Sequence, residues 1–210
     1  MGDYAHLRTT DATSRADLES DDDSEGFAYL LMKYHVPVLW VALFEEADLR
    51  LDEVIDEVRP PERHWILLAD KARALQTLSR RTDPLRQMLG ARIDPVLAQF
   101  TQHLEHARGS RVMLMTDEFS AMLEHAESVW DQELRFCIRT VSGESPAPAA
   151  VQVPLAQSED DIATVGVRTS PHVVGLALAY DRWTDWGKDD PSFVYWMAGG
   201  GATEDAPWEE

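Results

Sequence analysis

Three histidines offer metal-ligand chemistry. His103 and His106 are three positions apart, so a helix would hold both imidazoles toward a similar side. An antiparallel hairpin of helices over 94–108 and 117–137, centred near residue 112, would bring His125 within about one turn of His103. Glu118 is then available as a fourth ligand, and zinc or iron accepts such a set. The spacing matches no established ligand motif, and scattered surface histidines are the competing description. Carboxylates are plentiful but discriminate poorly. Glu45-Glu46-Asp48 and Glu53-Asp56-Glu57 fall on the polar faces of expected helices, where such groups are solvated. Cys137 lies on an apolar stripe and is expected as a packed, protonated thiol. No Cys-x-x-Cys, His-Glu-x-x-His or Gly-x-Ser-x-Gly pattern occurs, and Gly199-Gly200-Gly201 is not followed by a helix that could hold a phosphate. No catalytic residue and no cofactor is therefore assigned.

Protein recognition has a stronger signal. Four of the seven Trp fall in the last 28 residues, and Asp181, Asp185, Asp189 and Asp190 interleave with Trp183 and Trp186. Flat aromatic faces beside carboxylates suit an Arg- or Lys-bearing partner, through packing and cation–π contact. Trp186, Asp185, Asp189, Asp190 and Trp183 are the expected partner contacts. The alternative for Trp183 is a place in the core.

The elements that must position these groups follow from periodicity. Residues 3–9 alternate and predict a short strand. The stretch 11–26, with Asp21-Asp22-Asp23, predicts a solvated acidic loop. Helices are expected at 27–35, from Pro37 to about Ala47, and from Asp48 to Val58; for Val36 to Phe44 a buried strand competes. Trp65, Leu68, Ala69, Ala72, Leu75 and Leu78 recur at steps of three and four, predicting one helix over 62–80. Asp83-Pro84 opens a short helix, 94–108 makes another, and Phe119 to Cys137 marks the stripe of the next. Val112 to Met115 reads either as a brief strand or as the entry to that last helix. A Pro/Ala-rich connection spans 142–161. Short β-like runs follow at 164–168, 173–180 and 193–197, and 199–210 is an acidic flexible tail. The expected fold class is α+β in a single domain, 1–210. It has a helical middle of about four to six helices and a small C-terminal antiparallel sheet, which the N-terminal strand can join.

Composition narrows the class. With 44% hydrophobic and 27% charged residues the chain is built to bury a core, which excludes a wholly disordered chain. A single cysteine excludes a disulfide scaffold. No uninterrupted apolar run is long enough for a membrane helix, and the N-terminus is acidic rather than signal-like, so a cytoplasmic address is expected. The net charge is −19, and it is unevenly spread. Residues 1–26 hold eight acids and two bases, residues 27–141 eighteen and fourteen, and residues 142–210 twelve and three. The ends thus repel nucleic acid and anionic membranes and attract basic proteins.

Tyr4 in a strand-like start, an acidic loop, then Phe27-Ala28-Tyr29-Leu30 and Val36-Pro37-Val38-Leu39-Trp40 resemble the opening of uncharacterised bacterial immunity-type proteins that neutralise polymorphic toxins. The resemblance covers about the first 50 residues and carries over no functional residue. It implies a stoichiometric, non-enzymatic inhibitor of a toxin. The expected function is accordingly an acidic protein-binding module with a basic protein partner, such as a toxin or nuclease. The alternatives are a metal-dependent hydrolase or metalloprotein on the His103, His106 and His125 set, and an acidic scaffold or assembly subunit.

Overall fold

The computed structural model describes residues 4–20, 26–33, 36–54, 62–91, 93–116, 126–144 and Trp208. Five strands, β1 (Tyr4–Thr10), β2 (Tyr29–Lys33), β3 (Leu49–Val54), β4 (Glu62–Asp70) and β5 (Arg111–Met115), form one sheet in the order β2-β1-β5-β4-β3. Every pairing is antiparallel. Among the described residues the α-helices are α1 (Val38–Val41), α2 (Lys71–Arg80), α3 (Thr82–Leu89), α4 (Ile93–His106) and α5 (Ala126–Val141). The class is mixed α and β, but the expected placement of the sheet is overturned. It is assembled from N-terminal and middle strands, and the helices are interleaved with them. The β-like runs at 164–168, 173–180 and 193–197 lie outside the described residues.

Each misread element has a local reason. In β2 the side chains of Leu30 and Met32 are buried while Tyr29 and Leu31 are exposed, a period of two hidden because all four are apolar. Leu49-Arg50-Leu51-Asp52 alternates, and β3 takes its register from Leu49 opposite Leu67 and Leu51 opposite Trp65. The predicted helix over 62–80 is split at Asp70 into β4 and α2. Ile66 and Leu67 are both fully buried although they point to opposite faces of the sheet. A strand buried on both faces reads as a continuous apolar run, and here that run imitates a helical stripe. Val112 to Met115 proves to be β5, the middle strand. It stands between α4 and α5 and excludes the expected helical hairpin across residue 112.

One face of the sheet carries the main core. Leu7, Leu30, Leu67, Val112 and Leu114 meet Leu78, Leu85, Val96, Phe100, Trp130 and Ile138 from the helices. At its centre is the segment from Val36 to Phe44, buried throughout, with Val38–Val41 forming one turn of helix. A helix apolar on all sides must be enclosed, and its short length leaves carbonyls at its end without helical partners. Arg81, buried between α2 and α3, supplies the donors. Its Nη1 donates to Phe44 O at 2.5 Å and Ala42 O at 3.0 Å, with Val41 O at 3.5 Å. Burial lowers the pKa of this guanidinium from the ordinary arginine value.

A smaller core covers part of the other face. Ala12 and Leu18, from the segment after β1, pack on Ile66, Leu68, Met113 and Met115. That segment is held by Arg15 N donating to Asp52 Oδ2 at 2.6 Å and by an Arg50 bond to Thr13 O. Asp11 accepts from Ser110 N at 2.9 Å and from Ser110 Oγ at 2.8 Å, joining the end of β1 to the start of β5. These two bonds hold its carboxyl below the usual carboxylate range. Gly109 beside it has φ of +94°, and a Cβ there would lie 2.7 Å from Thr10 N. Only glycine permits this approach.

Candidate functional site

At β1 and β2 the second face carries the two most exposed large apolar side chains among the described residues. Strand alternation turns Ala5 and Leu7 into the core and leaves Tyr4, His6 and Arg8 on the opposite face. The register sets His6 opposite Leu31 and Arg8 opposite Tyr29. Tyr29 lies diagonally across from His6, and its phenol oxygen is 2.7 Å from His6 Nδ1. The His6 ring is 5.9 Å from that of Tyr29 and 6.4 Å from that of Tyr4, tilted to both. Tyr29 is 55% exposed and Leu31 44%, so two large apolar side chains stand side by side on one strand facing solvent. Isolated exposed hydrophobics are ordinary, whereas adjacent ones beside further rings form an apolar patch. The sequence reading missed this face because it took 27–35 as a helix. In sequence, Asp21-Asp22-Asp23 and Glu25 precede Tyr29 by four to eight positions.

The carboxylates expected to be solvated on a helix are held in a different setting. Glu45, Glu46 and Asp48 belong to the turn between α1 and β3, and all three are ion-paired. Glu45 meets Arg80 at 2.5 Å, and Glu46 meets Arg139 at 3.0 Å and Arg135 at 3.3 Å. Asp48 is buried, pairs with Arg73, and accepts Glu45 N at 2.8 Å. The Asp48 bond raises the pKa of Arg73. This geometry binds the turn to α2 and α5, and it commits the carboxylates to structure rather than to proton transfer.

Of the proposed metal ligands, His103 and His106 are described, and both lie on α4. Their surroundings differ. His106 is exposed, with Nδ1 2.8 Å from Gln102 O of its own helix. His103 is half-buried, and its ring stacks on the indole of Trp208 at 5.6 Å between centroids and 20° between planes. Its Nε2 is buried without a hydrogen-bond partner among the described residues, and burial lowers its pKa. His125 and Glu118 lie outside the described residues. Among the described residues no three His, Cys, Asp or Glu side chains are grouped to hold a metal ion. Cys137 is buried in the main core. Trp183, Trp186, Asp185, Asp189 and Asp190 lie outside the described residues. Among the described residues no helix is long and apolar enough to cross a membrane. No protein-family model, no curated protein and no solved structure matches the chain.

Proposed function

We propose that the chain is a non-enzymatic acidic protein-binding module that docks a basic protein partner, in the manner of an immunity protein neutralising a toxin. The observation that carries the reading is the pairing of exposed Tyr29 and Leu31 beside His6 and Tyr4 on one face of the sheet. Aromatic and aliphatic side chains of this kind set the off-rate of a complex, because water is excluded around them. Arg8 lies on that face, so in this proposal local contact there rests on packing rather than on attraction of a cation. The −19 charge acts at longer range, raising the on-rate for a cationic partner and making it fall with salt. Asp185, Asp189 and Asp190, with Trp186 and Trp183, form the second contact region of this proposal. A cytoplasmic location belongs to the same proposal.

The test compares the tagged full chain with a Tyr29→Ala, Leu31→Glu variant, both checked for folding by circular dichroism. Each captures proteins from native lysate at low and high salt, and bound metal is measured on the same samples. A stoichiometric basic protein, released by salt and lost from the folded variant, supports the reading. Replacing Asp189 and Asp190 with Ala then slows association with that protein. Equal capture by both chains, or a near-stoichiometric metal without a partner, overturns it.

A further inference from the structure

We propose that Tyr29 is an oxidation site: it gives an electron to a one-electron oxidant while its phenolic proton passes to His6 Nδ1. The two groups come from neighbouring strands, and the sheet holds both in place. Ala5 and Leu7 on either side of His6 are fully buried, and Leu30 after Tyr29 is buried too. The register pairs Leu7 with Leu30 and Arg8 with Tyr29, so neither strand can slip by one position without exposing its core side chains. This fixed pairing sets the phenol oxygen 2.7 Å from Nδ1, within direct reach for proton transfer. With the imidazole hydrogen on Nε2, the phenol donates and Nδ1 accepts.

The chemistry follows from acidity. A phenol that has lost an electron but kept its proton is a cation and a very strong acid, so its oxidation is slow unless a base takes the proton in the same step. Imidazole is the side-chain base suited to this near neutral pH. Tyr29 thus loses one electron to the oxidant and one proton to His6, leaving a neutral phenoxyl radical beside an imidazolium that returns its proton to water. The Tyr29 side chain is 55% exposed, so the radical is open to a second ring. Two copies that carry it join by a bond between the ring carbons next to the phenol oxygens, and each displaced ring hydrogen moves to an oxygen. The product is dityrosine, a covalent dimer linked through the β1–β2 face. This inference stands independently of the partner proposal.

The experiment uses the full chain and two variants, His6→Gln and His6→Phe, each checked for folding by circular dichroism. Illuminated tris(bipyridine)ruthenium with persulfate supplies the one-electron oxidant. Mass spectrometry of the tryptic fragment 16–33, in which Tyr29 is the sole tyrosine, follows the loss of the unmodified ring and the appearance of dityrosine-linked fragments. Tyr29 is expected to react on the order of a hundredfold faster in the wild type than in either variant, the lower range for transfer to a positioned base. Glutamine keeps a hydrogen-bond acceptor but takes no proton, so His6→Gln should be as slow as His6→Phe. The wild-type rate should also fall in heavy water, because the proton moves with the electron. Equal rates in the three chains would overturn the proposal, and so would full recovery of the rate by His6→Gln. A wild-type rate unchanged in heavy water would overturn it as well, and that comparison decides even where a His6 variant fails to fold.

Discussion

Replacing Arg81 with Met keeps a long side chain between α2 and α3 but removes the donors that satisfy the end of α1. Two carbonyl oxygens, of Ala42 and Phe44, lose bonds of 3.0 and 2.5 Å from a charged group, in a region where both residues are fully buried. Hydrogen bonds to charged groups contribute about 1.5–3 kcal/mol each. Removing the guanidinium also removes the cost of burying it, the same burial that lowers its pKa. The gross loss of roughly 3–6 kcal/mol should therefore fall to about 3 kcal/mol net. With a urea dependence of about 2 kcal/mol per molar, the unfolding midpoint should drop by about 1.5 M. Equilibrium unfolding followed by tryptophan fluorescence reads this directly. Arg80→Met is the control, since Arg80 is exposed and pairs with a partly exposed Glu45, a pair worth under about 1 kcal/mol. If the two variants have the same midpoint at equal slope, the buried carbonyls do not depend on Arg81 and the account of α1 is wrong.

Other outcomes follow from single residues. Gly109→Ala combines a φ of +94° with a Cβ 2.7 Å from Thr10 N, and should lower the melting temperature by about 5 °C; a change below about 1 °C would show that the junction relaxes freely. Trp130 Nε1 donates to Thr116 Oγ1 at 2.8 Å in a buried site, so Trp130→Phe should cost about 1–2 kcal/mol by urea unfolding. A neutral result there would mean that Thr116 finds another partner. His103 binds a proton less readily folded than unfolded, because burial lowers its pKa from the ordinary value of 6.5. The unfolded chain thus takes up the proton first, so its contribution is intact above pH 6.5 and is lost as pH falls through the depressed folded value. His103→Gln should flatten that part of the stability profile, and a variant that follows the wild type through that range would refute the assignment.

The helices with one clean stripe were the most legible elements. Ile93, Val96, Leu97, Phe100 and Leu104 stand at helical spacing, and all are buried on the core side of α4. The strands were harder. β1 shows its alternation in Tyr4 to Thr10, but β2, β5 and the Trp65–Ala69 part of β4 are nearly all apolar, so their period of two is invisible until a partner strand defines the two faces. The exposed pair of Tyr29 and Leu31 stayed hidden for the same reason. Nothing in the local sequence distinguishes them from Leu30 and Met32, which the sheet buries.

By itself the sequence determined a chain able to bury a core, a strongly negative charge concentrated toward its ends, and the apolar stripe of α4. These depend on composition and on neighbours a few positions apart. The tertiary structure alone decided that β1 pairs with β5 about a hundred positions later, that Arg81 serves α1, and that the Glu45–Asp48 turn is ion-paired to α2 and α5. It also decided that His103 faces Trp208. Each of these is a contact between residues remote in sequence, and such a contact leaves no periodic trace in either partner. Burial, pairing and exposure are properties of the assembled sheet and its helices, and they arise only when the whole core closes.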